Sequence, residues 1–282
     1  MLSGNKYWKL YALLKTPPES YTKLVSYGGT QSNAMLSLAA LCYKKDWCFH
    51  YTSKPVASHL KQQLSGNLRQ ALDLGMVLHE VPHSDYESSI QHLKDNPQHD
   101  GLLIAQGGAD PMAQKGISQL ANEIKAWQLD QSDRKPCHIV TPSGTGTTAY
   151  YLAKALPEWN ILTAAMVGDK YYLTSQMEKL GEIPENITVL EASKKYHFAK
   201  PYPEFLKVYQ ELKLAGIEFD LIYGAAMWHI LLEHLHHIQG DILYVHSGGL
   251  MGNASMLDRY HKKYPILFKK DEGVCQSVGD IL

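Results

Sequence analysis

The chain has no long apolar segment, little cysteine and no excess of charge. None of its apolar runs approaches the roughly 20 residues of a transmembrane helix. Its 27 basic and 28 acidic residues leave a net charge of -1, so the composition indicates neither a nucleic-acid partner nor an anionic membrane. The four cysteines lack CxxC or metal-ligand spacing, which favours a reducing cytoplasm. The length of 282 residues suffices for one large domain or two lobes with a substantial core.

One run among the 14 histidines looks like a zinc site, Glu233-His234-Leu235-His236-His237. On a helix, Glu233 and His237 are four residues apart, so the two side chains would share a face. The run has no recognised zinc-protease spacing, and no further ligand is identifiable elsewhere in the sequence. We therefore interpret it as a polar helix end and predict no metal site.

Short apolar strands alternate with helices along the chain. Strands are predicted at 23–27, 48–51, 76–81, 102–105, 138–141, 161–167, 187–190 and 242–246, and helices at 33–43, 60–74, 112–127 and 149–156. The polar segment 90–101 is predicted to be a hinge or a surface loop. The alternation indicates an α/β architecture of two lobes, each with a mostly parallel sheet flanked by helices.

A lysine stands at a tight turn near the start of the chain, in Ser3-Gly4-Asn5-Lys6. Gly lacks a Cβ and Asn tolerates unusual turn geometry, so the backbone here can approach a ligand closely. Lys6 is therefore a candidate to form a Schiff base with an aldehyde cofactor such as pyridoxal phosphate. The simpler interpretation of a single lysine near a terminus is a solvated charge.

A second segment has the pattern of an anion-binding turn. Pro142-Ser143-Gly144-Thr145-Gly146-Thr147-Thr148 follows an apolar strand and opens a helix, where backbone N–H groups and the helix dipole can hold a phosphate. Neither the Walker A lysine nor GxGxxG spacing is present, so a small monophosphate fits better than ATP or NAD. An ordinary strand-to-helix turn with a threonine cap fits the segment equally well when it is taken alone.

A third segment, Tyr27-Gly28-Gly29-Thr30-Gln31-Ser32-Asn33-Ala34, again joins a strand to a helix. Gln31, Ser32 and Asn33 at the first helical turn can bind the carboxylate of a substrate. Ser32 and Asn33 can equally be capping residues without a ligand. Both interpretations stay open for this segment by itself.

Together these segments resemble the 1-aminocyclopropane-1-carboxylate deaminase/D-cysteine desulfhydrase family of tryptophan synthase β-like, fold type II pyridoxal phosphate enzymes. Further matches are Gln106-Gly107-Gly108-Ala109, Tyr196-His197-Phe198, Asp220-Leu221-Ile222-Tyr223-Gly224 and His246-Ser247-Gly248-Gly249-Leu250. The resemblance runs in order from Ser3 to about Gly252. It implies a large cofactor-binding lobe of residues 1–8 and 113–282, a small lobe of residues 9–112, and a homodimer.

The resemblance also implies roles for individual residues. Lys6 would be the Schiff-base lysine and the proton-transfer base, and Asn33 would bond the 3′ oxygen of pyridoxal 5′-phosphate. Ser32 would contact the substrate carboxylate, attack, or relay protons. Tyr223 would lie near the reacting carbons, with Tyr202 as a second tyrosine. The phosphate would be held by Gly144, Thr145, Gly146, Thr147 and Thr148, and Ser247 would face the pyridine nitrogen unless it is only a turn residue.

One departure from the family pattern bears on the reaction. This chain has Tyr223-Gly224 where the cyclopropane deaminases have Tyr-Glu. A glutamate at the pyridine nitrogen keeps the ring protonated, as ring opening demands, whereas a serine hydroxyl cannot do this and suits β-elimination. We therefore expect α,β-elimination of the D-cysteine desulfhydrase type from a small amino acid, giving a 2-oxo acid and ammonia. The alternative is 1-aminocyclopropane-1-carboxylate deaminase activity.

A second departure is the short segment before Lys6, since family members usually carry more chain there. We expect Lys6 to lie on a poorly anchored terminus, where positioning is costly. A catalytically weak homologue that binds pyridoxal phosphate without turnover is therefore a further alternative.

Overall fold

The computed structural model describes residues 4–96, 101–108, 111–129 and 138–268. Two four-stranded parallel sheets, each flanked by helices, form the described part of the chain. This is the predicted two-lobed α/β architecture, and it is confirmed.

The first sheet has the strand order β3-β2-β1-β4. Its strands are β1 (Lys23–Tyr27), β2 (Cys48–Ser53), β3 (Met76–Glu80) and β4 (Gly101–Ile104). The central strand β1 pairs in parallel on both edges, with Lys23 opposite Cys48 on one side and Gly101 on the other. The strands that follow β1 in sequence lie on both sides of it, β2 and β3 on one side and β4 on the other. The carboxyl end of β1 is therefore a topological switch point, the place where such sheets bind ligands.

The second sheet repeats this arrangement with the order β7-β6-β5-β8. Its strands are β5 (His138–Ser143), β6 (Ile161–Ala165), β7 (Ile187–Leu190) and β8 (Ile242–Tyr244). Here β5 pairs with β6 and β8, so its carboxyl end is the second switch point. The two glycine-rich turns singled out in the sequence therefore occupy equivalent positions in the two sheets.

Twelve α-helices are found in the described part of the chain. They are α1 (Asn5–Lys9), α2 (Tyr11–Lys15), α3 (Asn33–Lys45), α4 (Ser58–Gln62), α5 (Gly66–Asp73), α6 (Tyr86–Asp95), α7 (Ala113–Leu129), α8 (Thr147–Ala155), α9 (Lys170–Glu178), α10 (Pro203–Leu214), α11 (Gly224–His234) and α12 (Asn253–Lys263).

Each sheet has its own apolar core. Leu24, Met35, Leu41 and Leu68 are fully buried in the first. The second sheet is covered on one side by α8 and on the other by α10 and α11. Burying each large side chain stabilises the fold by about 2 kcal/mol, so the sheets are the rigid supports of the turns at their ends.

Two predicted elements are wrong. The single helix predicted at 60–74 is interrupted between α4 and α5, because Gly66 takes a left-handed φ of 62° and Asn67 is drawn into contact with Gln31. The predicted hinge or loop at 90–101 contains the second half of α6. Residues 97–100 of that segment lie outside the described residues. The domain boundaries at 8/9 and 112/113 stay a prediction.

Candidate active site

Lys6 is the second residue of α1. The helix begins directly after Gly4, which has a φ of 56°. Its Nζ atom donates a hydrogen bond to Asn5 Oδ1 (2.9 Å) and lies 6.0 Å from the centroid of the Tyr223 ring. Burial lowers the pKa of the Lys6 amine from 10.5 to about 8, and the nearby Asp220 carboxylate opposes part of that shift. A lowered pKa suits an amine that must be neutral to attack an aldehyde and to accept a proton.

The expectation that Lys6 lies on a poorly anchored terminus is wrong for the chain from Gly4 onwards. The Asn5 side chain is buried, and its backbone N–H donates to His246 O (3.1 Å). Its Nδ2 atom donates to Thr148 Oγ1 (3.1 Å), 143 residues away in sequence. A Cβ on Gly4 would collide with Gly248 N, and one on Gly116 with the carbonyl oxygen of Trp8. These close contacts fix α1 to the second lobe. Ser3 lies outside the described residues.

The predicted phosphate turn leads from β5 into α8, and its helix has no side-chain cap. Gly146 is the N-cap with a left-handed φ of 72°, and no side chain bonds the first helical N–H groups. The hydroxyls of Thr145 and Thr147 lie 2.9 Å apart, so only one can donate to the other. Thr148 is buried and accepts from Asn5. The turn thus offers unpaired donors at the positive end of a nine-residue helix.

The turn after β1 is filled by protein contacts. Ser32 is the N-cap of α3, and its Oγ accepts from Met35 N (3.3 Å), so the capping interpretation is observed. Gln31 Oε1 accepts from Asn67 N (2.9 Å), and Gln31 Nε2 donates to Ser65 O (3.2 Å). Asn33 Oδ1 accepts from Asn67 Nδ2 (2.7 Å). This last bond turns the Asn33 amide nitrogen towards Gly249, where an added Cβ would collide with it.

Tyr223 and Ser247 lie in the same region as Lys6. A Cβ on Gly144 would come 3.4 Å from the Tyr223 hydroxyl, which places that hydroxyl at the phosphate turn. Burial, followed by the charge of Asp220, raises the pKa of the Tyr223 hydroxyl, so it stays protonated. Ser247 is buried in the turn that bonds Asn5, and its hydroxyl donates to Asp220 Oδ2 (2.7 Å). This bond was not predicted from the sequence, and the role of Ser247 at the ring nitrogen stays a prediction.

Tyr202, the second predicted tyrosine, lies in an aromatic cluster with Tyr196 and Phe205, at ring-centroid distances of 4.8 and 5.4 Å. Its hydroxyl accepts from His197 N (3.0 Å). These contacts give Tyr202 a place in the packing of α10. Its role in substrate binding stays a prediction.

Lys9 and Asp220 were missed by the sequence reasoning. Lys9 is buried one turn after Lys6 and donates to Gly107 O (3.2 Å), and burial, followed by the charge of Lys6, holds the pKa of its amine well below 10.5. Gly107 lies beside Thr145, so Lys9 places a second amine near the phosphate turn. The sequence signal for it was the three-residue spacing from Lys6. The signal for Asp220 was an acidic residue just before the N-terminus of a helix.

A cavity of about 330 Å³ lies on the second lobe, lined in part by Ile222 and Phe198. The loop between β7 and α10 forms one wall, and Phe198 from that loop packs against the Tyr223 ring at 5.7 Å. Phe198 is half exposed, as a side chain at the mouth of a site would be.

The donor set fits pyridoxal phosphate. A buried amine of lowered pKa is tied through Asn5 to a turn with free N–H groups and two threonine hydroxyls. The Asn33 amide lies at Gly249, two residues after Ser247, and the Tyr223 hydroxyl lies at Gly144, so amide and hydroxyl groups of the kind that bind polar ring substituents lie near this turn. In the described residues no group of three or more His, Cys, Asp or Glu side chains could hold a metal ion. The described helices include none that is long and apolar enough to cross a membrane.

The histidine-rich run ends α11 and makes protein contacts. Glu233 accepts from the backbone N–H and the hydroxyl of Ser193 (2.9 and 2.7 Å), and His234 Nε2 lies 2.8 Å from Glu191 O. These bonds connect the end of α11 to the start of the loop that forms the cavity wall.

The two-lobed fold is that of the fold type II pyridoxal phosphate enzymes. The chain is 25% identical over 276 residues to a putative 1-aminocyclopropane-1-carboxylate deaminase of Thermotoga maritima, a match that covers 89% of this chain and 85% of the relative. No family model matches the chain.

Solved structures agree on the fold. An ACC deaminase homologue superimposes with a TM-score of 0.69 at 20% identity, covering 92% of this chain and 85% of that one. The T.th. threonine deaminase superimposes with a TM-score of 0.63 at 14% identity, covering 87% and 83%. The resemblance predicted from the sequence is confirmed, and with it the expected cofactor, pyridoxal phosphate. The roles of individual residues stay predictions.

Proposed function

We propose that the chain is a pyridoxal-phosphate-dependent lyase that removes the α-amino group of a small amino acid by α,β-elimination. The observation that carries the proposal is the bonded series Lys6 Nζ, Asn5, Thr148 Oγ1. The amine of Lys6, whose pKa is lowered, and the turn that can hold a phosphate are bonded to the two ends of the same Asn5 side-chain amide. When bound, pyridoxal phosphate would supply an electron sink for negative charge on the substrate α carbon.

Each residue then has a task in holding or moving a group. The N–H groups at the start of α8 and the Thr145 and Thr147 hydroxyls would hold the phosphate, with the Lys9 amine nearby on Gly107. Lys6 would take the proton from the substrate α carbon. Ser32 would contact the substrate carboxylate and Asn33 the 3′ oxygen of the ring, beside Gln31, whose side-chain amide is held by Ser65 and Asn67. Tyr223 would face the reacting carbons, with Phe198 between its ring and the cavity.

We propose further that the elimination is of the D-cysteine desulfhydrase type, releasing sulfide, ammonia and pyruvate from cysteine. Gly224 supports this choice, because a Cβ there would lie 2.9 Å from Phe219 Cβ and 3.1 Å from Asp220 Oδ2. The site therefore has no room for the glutamate that cyclopropane deaminases present at this position. No carboxylate would contact the ring directly from that place.

Deamination of 1-aminocyclopropane-1-carboxylate is a second candidate, favoured by the similarity to the putative deaminase of Thermotoga maritima. It would give 2-oxobutanoate and ammonia instead of pyruvate and sulfide. The two reactions thus differ in a product that can be measured.

The test uses the purified chain loaded with pyridoxal phosphate. We expect an absorbance band of lysine-bound cofactor that disappears in Lys6→Ala and persists in Lys15→Ala, since Lys15 is exposed on the next helix. We expect pyruvate and sulfide from D-cysteine, and a loss of at least about a thousandfold in Lys6→Ala, the scale of a missing proton-transfer group. A loaded protein that releases 2-oxobutanoate from the cyclopropane substrate and no sulfide from either enantiomer of cysteine would favour the second candidate. Absence of the band in wild type would contradict both.

A further inference from the structure

Asp220 is a buried carboxylate with an unusual set of partners. Only 1% of the residue is exposed. Its Oδ1 accepts from Tyr223 N (2.7 Å) and Ile222 N (3.2 Å), and its Oδ2 from Gly224 N (3.0 Å) and Ser247 Oγ (2.7 Å). In the described part of the chain it forms no ion pair. Burying a carboxylate with only neutral donors is costly, so a cationic group nearby would be favourable.

The bond between Ser247 and Asp220 fixes the direction of the serine proton. A hydroxyl carries one proton, and an ionised carboxylate can only accept. Ser247 therefore donates its one hydrogen bond to Asp220. Its oxygen lone pairs remain available to accept a hydrogen bond from a group on its other side. A pyridine nitrogen without a proton also offers only a lone pair, and two lone pairs repel. A protonated pyridine nitrogen fits such a hydroxyl.

Ser247 and Asp220 are also close to Lys6. The turn that contains Ser247 bonds Asn5 through His246, and Gly4 packs against Gly248. The charge of Asp220 raises the pKa values of Lys6, Tyr223 and Tyr244, opposing burial at Lys6 and adding to it at both tyrosines. The field of this carboxylate therefore reaches the predicted cofactor site.

We infer that Asp220 is a positioning residue that acts through Ser247 to keep the pyridine nitrogen of bound pyridoxal phosphate protonated. The inference rests on the proposed function and on the place that the family resemblance predicts for Ser247, opposite that nitrogen. It replaces the directly bonded glutamate of the cyclopropane deaminases by a carboxylate one hydroxyl further away. A protonated ring supports elimination and ring opening alike, so the substrate is decided by the product assay above.

The substitution Asp220→Asn is expected to reverse the direction of the hydrogen bond between residue 220 and Ser247. The amide has one oxygen and one NH₂ group, and two backbone N–H groups face the Oδ1 position whereas one N–H and the serine hydroxyl face Oδ2. The oxygen is best placed at the two N–H groups, because the serine can rotate and a backbone N–H cannot. The new NH₂ group then donates to Ser247, whose proton turns to the ring nitrogen and requires it to be unprotonated.

The experiment is ¹⁵N NMR of the protein loaded with pyridoxal phosphate labelled with ¹⁵N in the ring. Protonation moves the pyridine ¹⁵N resonance upfield by an amount far larger than any effect of packing. We expect the protonated position in wild type and in Ser247→Thr, and the unprotonated position in Asp220→Asn and Ser247→Ala. The loss of the bonds from the backbone N–H groups of Ile222, Tyr223 and Gly224 to Asp220 would not by itself move this resonance.

The outcomes are separable. An unprotonated ring in wild type, or a protonated ring in Asp220→Asn, overturns the inference. The proposed function still stands in that case if the cofactor is attached to Lys6. Failure of wild type to show lysine-bound cofactor sinks the proposed function instead. If Asp220→Asn does not fold, a protonated wild type with an unprotonated Ser247→Ala supports the inference, because a serine without Asp220 would donate to a neutral ring. A protonated Ser247→Ala overturns it.

Discussion

The two strand-to-helix turns occupy equivalent positions in their sheets but differ in how their donors are used. After β1, the helix is capped by the Ser32 side chain and the neighbouring amides bond Asn67. After β5, the helix begins at Gly146 without a side-chain cap. The first turn is closed by its own protein contacts, and the second is left open. The same local sequence signal, glycines followed by hydroxyl residues, therefore serves two different ends, and only the second provides several free donors for an anion.

The open turn lies beside buried amines, and this should destabilise the protein without its cofactor. We expect Lys6→Met to raise the free energy of unfolding of the cofactor-free protein by on the order of 3 kcal/mol at neutral pH, from a pKa lowered from 10.5 to about 8. The unfolded chain binds the extra proton between these values, so stability of the wild type rises with pH there. The gain from the substitution is therefore full below pH 8 and fades as pH rises towards 10.5.

Urea unfolding of the two proteins across that pH range measures the effect, with Lys15→Met at the exposed position on α2 as the control. A gain that does not change with pH would show that lost packing or hydrogen bonding, and not the charge, separates the variants.

A carboxylate placed on the open turn should compete with the phosphate. Thr145→Asp adds a negative charge next to Gly146, so we expect the affinity for pyridoxal phosphate to fall about tenfold or more, equivalent to about 1.4 kcal/mol. The same charge at the start of α8 should stabilise the cofactor-free protein by about 0.5 kcal/mol. Titration of the cofactor and thermal unfolding measure these opposite signs. Thr145→Asn is the neutral control, and equal affinities of the two variants would mean that the phosphate does not bind at this turn.

Removing the cap of the closed turn should affect stability more than cofactor binding. Ser32→Ala leaves Met35 N without its partner, and we expect a loss of about 1 kcal/mol in the free energy of unfolding. Ser32→Asn restores a capping oxygen and should recover the stability. If it also recovers the rate of elimination, the hydroxyl has no part in the reaction. If only the stability returns, Ser32 acts in both ways.

The sequence predicted the features that depend on near neighbours. The strand ends, the glycine turns and the Ser32 cap all follow from residues within one turn of each other, and α/β alternation follows from the apolar pattern. Lys6, Tyr223 and Ser247 were found because short segments resembled a family pattern. The structure brings them to one region.

Features that depend on distant partners were missed or wrong. The bond from Asn5 to Thr148 spans 143 residues, that from Lys9 to Gly107 spans 98, and that from Ser247 to Asp220 spans 27. No local pattern reports such bonds. The break between α4 and α5 has the same origin, since Asn67 is held by the turn after β1 and interrupts a pattern that would otherwise favour one helix.

Gly249 lies where the Asn33 side chain from the first lobe meets the turn that contains Ser247. The Asn33 amide, carried by the first sheet, occupies the space in which any side chain at position 249 would begin. The methyl group of Gly249→Ala would collide with the Asn33 amide. We expect it to push Asn33, and the first lobe with it, away from Lys6. The absence of a Cβ atom at position 249 thus allows the Asn33 amide to lie close to this turn.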